Sequence, residues 1–323
     1  IRFFSVSKAA ADGIQHNAYD AFGGWVPSTP ETMKNFSAIG YFFAKKLQSE
    51  LNVPVGVICA AWGGTAAEFW APKEAFQQHP EYIDAYRKMG DSPYYPTILS
   101  GAYNAMIAPF DNFKIAGVGW YQGESSTANA DNYTGLMTDL ISSWRKSRGY
   151  DFPFYIIQIA PFPDKGEGNL KIRNAQRIIA RTVPQSGLIV SSDVSETDNI
   201  HPKNKKPLGI RMADLALKYH YGVNNQLVES PDWSGIEYKG KQVVLTLKFA
   251  EGLHFRKNSS PLFEIAAADG RFYPAKAIVK GNQIILSSSS VKKPEKVRYQ
   301  WNSVAFPDVF NKAGLPASVF TSE

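Results

Sequence analysis

The sequence has a single cysteine, no long apolar run and no broad cluster of one charge sign, and each absence excludes a class of protein. With Cys59 alone there is no disulfide within the chain and no Cys-x-x-Cys zinc or redox site. No run approaches the roughly 18 apolar residues of a membrane span, so we expect no membrane partner. The 35 Lys and Arg exceed the 29 Asp and Glu by 6. They are scattered apart from two short lysine groups, so we expect no nucleic-acid partner.

The sequence does contain an alternation of apolar strands and amphipathic helices. A length of 323 residues corresponds to about two domains of roughly 150 residues each. Short runs rich in β-branched and aromatic residues end in glycine or polar residues, as strands covered on both faces do. Helical stretches separate these runs, which indicates a parallel sheet. The predicted strands are residues 1–6, 53–59, 115–121, 154–159 and 187–194.

Three of the intervening helices are predicted from their apolar spacing. They cover residues 37–51, 131–149 and 208–221. For the second helix, Asn129 or Asp131 is expected to cap the start, and Gly149 marks the end.

After about residue 225 the apolar period changes from helical to alternating. Val243, Leu245, Leu247 and Phe249 are predicted to share one face of a half-buried antiparallel strand. Glycine turns at 269–270 and 280–282 separate further apolar runs, as in β-hairpins. We therefore predict an α/β domain over residues 1–225 and a β-rich C-terminal module over residues 226–323.

The strongest local motif is Asp-x-x-His, formed by Asp198 and His201 just after the predicted strand 187–194. Functional groups collect in loops after the carboxyl ends of parallel strands. An aspartate three residues before a histidine can accept the imidazole Nδ1 proton, which leaves Nε2 free as a general base toward a serine. The alternative is a surface turn whose histidine is only solvated.

Two further strand ends carry residues that suit an oxyanion hole. Gln122 follows the predicted strand 115–121, and a side-chain amide there can donate to a developing oxyanion. Gly63 and Gly64 follow the strand 53–59, where a glycine pair can direct a backbone N–H to the same oxyanion. Paired glycines are also common in simple tight turns. The three loops have compatible roles, which strengthens the interpretation of each.

These motifs and several others occur in an order that resembles one known family. The segments concerned are 35–43, 53–58, 62–65, 103–109, 120–125, 200–205, 297–299 and 311–318. In them the chain resembles the SGNH hydrolases, and among these the sialate O-acetylesterase-like carbohydrate esterases, over nearly all of its length. The resemblance implies a three-layer α/β/α parallel sheet with the C-terminal antiparallel β module. It also implies removal of O-acetyl groups from sugars by a serine, without a metal or another cofactor.

The resemblance assigns roles to residues that match the family motifs. His201 matches the catalytic base and Asp198 its acid, with Asp193 as the alternative for orienting His201. Gln122 matches the oxyanion-hole amide, and Gly63 or Gly64 the backbone donor.

The family's nucleophilic serine has no match in this chain. In the family it lies in a Gly-Gln-Ser-Asn elbow after the first strand, upstream of the segment that resembles residues 1–6. Gly90-Asp91-Ser92 has the letters of a superfamily signature but does not follow a buried strand, so no elbow would present Ser92. Ser125 would compete with Gln122 for the place where the substrate must lie. We expect the serine to come from an N-terminal segment of the same protein that is missing here, whether cleaved but still associated or supplied separately.

The sequence therefore predicts a carboxylic ester hydrolase, a serine-dependent carbohydrate O-acetylesterase. Its expected substrates are acetylated carbohydrates, such as sialic acid or acetylated plant or host glycans, and its expected location is secreted or periplasmic. The alternative is a non-catalytic carbohydrate-binding protein with the same fold, since the elbow is absent. A third hypothesis is an esterase that has recruited another serine.

Overall fold

The computed structural model describes residues 1–323 except positions 19, 22, 78, 89, 165, 224 and 258–261. Within the described residues, no helix combines the length and apolarity needed to span a bilayer. The strands of the N-terminal part are β1 (Arg2–Ser5), β2 (Val26–Pro27), β3 (Gly56–Cys59), β4 (Val118–Trp120), β5 (Phe154–Ile157) and β6 (Ser186–Ile189).

These six strands form two three-stranded sheets. In the first, β1 pairs in parallel with β3 and antiparallel with the short β2. In the second, β5 lies between β4 and β6 and is parallel to both. No backbone pairing joins β3 to β4 in the described part of the chain, so each has one unpaired edge. The parallel sheet predicted from the sequence is present, but it is divided between β3 and β4.

Helices cover both faces of the β4–β6 sheet. The α-helices are α1 (Pro30–Met33), α2 (Ala38–Leu51), α3 (Pro80–Lys88), α4 (Tyr133–Arg148), α5 (Gly168–Thr182) and α6 (Lys206–Tyr219). Because side chains alternate along a strand, Phe154 and Ile156 join the apolar core of α4 and α5, while Tyr155 and Ile157 join the core of α2 and α6. The result is the predicted three-layer α/β/α arrangement.

The boundaries of these helices follow from local capping. Ser37 Oγ accepts the Gly40 N–H at 3.1 Å at the start of α2. Gly149, with φ +73°, ends α4 as predicted and donates its N–H to the Arg145 carbonyl. The predicted cap of α4 is wrong. Asn129 donates to Glu68 and Asp131 pairs with Lys171, because a 3-10 helix (Glu124–Asn132) precedes α4 and moves both residues away from its start.

Antiparallel strands make up the C-terminal part of the chain. They are β7 (Asp232–Lys239), β8 (Gln242–Lys248), β9 (His254–Phe255), β10 (Phe263–Ala266), β11 (Phe272–Pro274), β12 (Lys276–Lys280), β13 (Gln283–Ser287), β14 (Lys296–Tyr299), β15 (Val309–Phe310) and β16 (Phe320–Thr321). Two four-stranded sheets and one two-stranded sheet result. Val243, Leu245 and Leu247 are buried as predicted, but Phe249 lies past the end of β8 with φ +54° and is 39% exposed. The boundary at residue 225 stays a prediction.

Hydrogen bonds join this β-rich part to the parallel sheet. Gln158, directly after β5, donates to Ser318 Oγ at 2.7 Å, and Trp233 donates to the Ser318 carbonyl at 3.1 Å. Arg181 of α5 donates to the Trp233 carbonyl at 2.7 Å. The antiparallel part of the chain therefore contacts and supports α5 and the end of β5.

Candidate active site

The loop after β3, here called the glycine loop (residues 62–65), has a conformation that requires glycine. Gly64 has φ +83°, a backbone region that other residues rarely adopt. Thr65 Oγ1 fixes the turn by donating to the Trp62 carbonyl at 2.7 Å and accepting the Trp70 indole N–H at 2.8 Å. Apart from its two chain neighbours, no described heavy atom lies within 4 Å of the position that a β-carbon on Gly63 would take. The side-chain direction at Gly63 therefore faces open space.

Gln122, two residues after β4, reaches this loop. Its Nε2 donates to the Thr65 carbonyl at 3.1 Å and to Ser126 Oγ at 2.9 Å, while its Oε1 accepts from the Tyr133 hydroxyl at 3.0 Å. The segments after β3 and β4, two of the three predicted strand ends, are therefore in contact. Both N–H groups of the amide already have acceptors in this structure, so a bound oxyanion would replace one of these partners.

Glycine is also required directly after Gln122. A β-carbon at Gly123 would lie 2.8 Å from methyl carbons of Ile159 and Ile172. This close approach lets Gln176 of α5 donate to the Gln122 carbonyl at 2.9 Å. The backbone of Gln122 is thus fixed independently of its side chain.

His201 and Asp198 lie on the loop after β6, and both are exposed. Asn199 Oδ1 accepts the His201 backbone N–H at 2.9 Å, which holds the turn. Among the described hydrogen bonds and ion pairs, none joins the Asp198 carboxylate to the His201 ring. The role of Asp198 as the acid for His201 therefore stays a prediction.

Asp193, the alternative acid, has another partner. Its two carboxylate oxygens accept from Arg211 of α6 at 2.8 and 2.5 Å, in a bidentate pair. Such pairs restrict both side chains to one geometry. Asp193 therefore anchors α6 to the strand end, and the structure does not bring it to His201.

Glu124 is a carboxylate of this region to which the sequence assigned no role. Burial raises the pKa of Glu124, while the nearby positive charges of Lys205 and His201 act in the opposite direction. Lys205 Nζ lies 4.7 Å from the centre of the Tyr121 ring, and burial lowers the pKa of its amine. Lys205, four residues after His201, donates from Nζ to the Tyr121 hydroxyl at 3.4 Å, which places the loop after β6 near the end of β4, where Gln122 also lies.

The described serines near this site are poorly placed as nucleophiles. Ser126, 2.9 Å from the Gln122 amide, is 1% exposed and its Oγ also accepts the Ala67 N–H. Ser125 lies in the 3-10 helix (Glu124–Asn132). Ser92 Oγ accepts the Tyr94 N–H at 3.2 Å in an irregular loop, without a strand-to-helix elbow. Ser126 could have been noticed in the sequence because it follows Gln122 by four residues.

Neither a metal site nor a reactive thiol is found in the described ranges. No group of three or more His, Cys, Asp or Glu side chains there is arranged to hold a metal ion. Burial raises the pKa of the Cys59 thiol, which disfavours the nucleophilic thiolate.

Comparison with known proteins identifies the family. The model of the carbohydrate esterase, sialic acid-specific acetylesterase family matches residues 26–218, well over half of the chain. The chain belongs to this family. The matched segment contains both glycines of the glycine loop, Gln122, Asp198 and His201.

Individual relatives agree with this family. The chain is 28% identical to the sialate O-acetylesterase of Pongo abelii, over 94% of this chain and 64% of that protein. It is 28% identical to the human sialate O-acetylesterase, over 82% of this chain and 56% of that protein. It therefore spans less than two thirds of the length of either relative. A crystal structure of a carbohydrate acetylesterase from Xanthomonas citri is 32% identical with a TM-score of 0.89, covering 100% of this chain and 73% of that one.

The structural match confirms the predicted fold class of this family member. The parallel strands with helices on both faces and the C-terminal antiparallel strands all lie within the part that superposes. The glycine loop and Gln122 are therefore presented by a fold that a known carbohydrate acetylesterase shares.

Proposed function

We propose that this chain forms most of a serine-dependent carbohydrate O-acetylesterase. The observation that carries the proposal is the 3.1 Å contact between the Gln122 amide and the Thr65 carbonyl. It brings a side-chain amide donor to a glycine loop at the carboxyl ends of two strands, as an oxyanion hole requires. Membership of a carbohydrate esterase family supports an acetylated sugar as the substrate.

In the proposed reaction, a serine attacks the acetyl carbonyl of the sugar ester. His201 takes the serine proton and later donates it to the departing sugar oxygen. The N–H of Gly63 or Gly64 and one N–H of Gln122 stabilise the oxyanion of the tetrahedral intermediate. Water then hydrolyses the acetyl-enzyme, with His201 as the base again.

Two carboxylates are available to orient His201. Asp198 has the matching sequence position, and the exposed loop allows it to turn toward the ring. Glu124 is half-buried two residues after Gln122, on the segment that follows β4. We assign the acid role to Asp198 and treat Glu124 as the alternative, because only the sequence position of Asp198 matches the family motif.

We further propose that the nucleophile lies on a segment of the same protein outside these 323 residues. The support is the division of the parallel sheet, because β3 and β4 each have one unpaired edge. Unpaired N–H and C=O groups on such edges readily pair with another strand. Ile58 of β3 and Val118 of β4 pack against the same apolar core, so the two edges belong to one layer. A parallel strand between them would end beside the glycine loop and Gln122.

Acetate release by the complete natural protein tests this function. With acetylated sugars or 4-nitrophenyl acetate as substrate, we expect His201→Ala to reduce turnover by at least about 10³-fold, as loss of a catalytic base does. The matched control is His220→Ala, because His220 is also exposed but lies at the end of α6. Turnover by His201→Ala close to that of the wild type would refute the assignment.

A fluorophosphonate label separates this proposal from its rivals. We expect the label on a serine upstream of residue 1, identified by mass mapping of the labelled peptide. A label on a serine within residues 1–323 would indicate a recruited nucleophile. Glycan binding without any label would indicate a non-catalytic carbohydrate-binding protein.

A further inference from the structure

A short loop, here called the tyrosine loop (residues 91–97), lies against the glycine loop and presents an aromatic ring to solvent. Its sequence places two tyrosines between two prolines, Pro93-Tyr94-Tyr95-Pro96. Tyr95 is 7% exposed, whereas Tyr94 is 71% exposed. Tyr95 therefore anchors the loop, whereas Tyr94 remains mostly exposed to solvent.

Three contacts fix the tyrosine loop on the glycine loop and on Ala66, the residue that follows it. The Trp62 indole N–H donates to the Tyr94 carbonyl at 3.0 Å. The Ala66 N–H donates to the Tyr95 hydroxyl at 3.4 Å. The Tyr94 ring lies directly over Gly64, because a β-carbon there would be 3.3 Å from Tyr94 Cδ2. The ring is thus held beside the backbone that we assign to the oxyanion hole.

The loop is also rigid within itself. The Ser92 N–H donates to Thr97 Oγ1 and the Tyr94 N–H donates to Ser92 Oγ, each at 3.2 Å. Pro93 and Pro96 restrict the backbone on either side of the tyrosines. A ligand that packs on Tyr94 therefore meets a pre-organised ring, and little conformational freedom is lost on binding.

The neighbouring space suits a sugar. The side-chain direction at Gly63 faces open space. In the proposed reaction the acetyl carbonyl binds at this loop. The Tyr94 ring, over the next residue, offers an apolar face with a polar hydroxyl at its tip, which suits a ring that has both C–H and O–H groups.

We infer that Tyr94 forms a sugar subsite, in which its ring stacks on the C–H face of a pyranose of the acetylated glycan. This inference rests on the proposed esterase function, since it places the sugar by the oxyanion hole. The subsite selects esters of ring sugars over simple acetyl esters.

The test compares two substrates on the complete natural protein. For Tyr94→Ala we expect kcat/KM to fall about 2- to 13-fold with an acetylated oligosaccharide, a loss typical of one aromatic stacking contact. The fall with ethyl acetate, which has no ring, should be far smaller. Tyr94→Phe should restore the oligosaccharide value. Tyr238→Ala is the matched control, because Tyr238 is 42% exposed on β7 of the antiparallel part.

A readout independent of catalysis separates this inference from the esterase proposal. In Tyr94→Trp, we expect a saturable change in tryptophan fluorescence as the deacetylated oligosaccharide is added, beyond that of the wild type. Sugar-dependent fluorescence without acetate release from any ester would support the subsite and refute the esterase. Equal losses with both substrates in Tyr94→Ala would show that Tyr94 only supports the glycine loop. No loss with either substrate would also overturn the subsite.

Discussion

Replacing Gln122 by alanine tests whether its amide serves chemistry or only structure. The change removes one hydrogen bond from each of Thr65, Ser126 and Tyr133. Two of these partners keep another bond, since Ser126 Oγ still accepts from Ala67 and the Tyr133 hydroxyl still donates to the carbonyl of residue 122. Only the Thr65 carbonyl loses its side-chain donor outright. We therefore expect unfolding free energy to fall by about 1–3 kcal/mol, the cost of one buried group left without a partner.

The expected catalytic effect is larger than this structural one. Loss of a single oxyanion-hole donor typically lowers kcat by about 10²- to 10³-fold, or about 2.7–4 kcal/mol of transition-state stabilisation. If the amide contacts the charge that develops in the transition state, kcat should fall much more than KM rises. Thermal denaturation and steady-state acetate release, measured well below the unfolding transition, report the two effects separately.

Gln158 provides the matched control. It follows β5 directly, is fully buried, and donates from Nε2 to the Arg173 carbonyl at 2.8 Å and to Ser318 Oγ at 2.7 Å. Gln158→Ala should destabilise the protein by a similar amount without the loss in kcat. If Gln122→Ala retains wild-type kcat, or if both variants lose kcat equally, Gln122 is a structural residue and the oxyanion assignment is wrong.

Two further predictions concern carboxylates. If Asp198 orients His201, Asp198→Asn should lower kcat about 10⁴-fold, as in other triads. Glu124→Gln should then have a much smaller effect on kcat. If acetate-release assays show the larger loss for Glu124→Gln, the role belongs to Glu124. Burial raises the pKa of Glu68, against the hydrogen bond from Asn129. The folded state then binds more protons than the unfolded state above about pH 4.5, so stability falls as pH rises through the folded pKa. Glu68→Gln should remove this pH dependence of Tm, and an unchanged slope would contradict the reasoning.

The strands that are predicted best from the sequence are those covered by helices on both faces. The segment 154–159 contains β5, all four residues of which are buried, because a buried strand needs apolar side chains on both faces. The segment 53–59 contains β3, which begins later, and its residues are exposed or half-buried. Apolar content alone does not tell a central strand from one at an open edge. The division of the sheet therefore could not be read from the residues of β3 and β4.

Prediction of the candidate site from sequence spacing has a similar limit. Spacing predicted that Gln122 and the glycine loop lie close together, because each follows a strand and parallel topology brings such ends together. It could not show that Asp193 is bound by Arg211, since the two are 18 residues apart and meet only through the packing of α6. Among the loop aromatics that could stack on a sugar, it could not separate Tyr94 from Tyr95, because a loop between helical segments has no periodicity that predicts which of two tyrosines faces outward.

The divided sheet and the contact between the glycine loop and Gln122 both fit the proposed additional strand between β3 and β4. Neighbouring strands lie about 4.8 Å apart, so a strand between β3 and β4 would hold them about 10 Å from each other. Thr65 follows β3 by six residues, which can extend over roughly 20 Å. The glycine loop can therefore cross the end of the added strand and still bond to Gln122. A serine at that end would emerge where the two loops meet, within reach of an acetyl group held over Gly63.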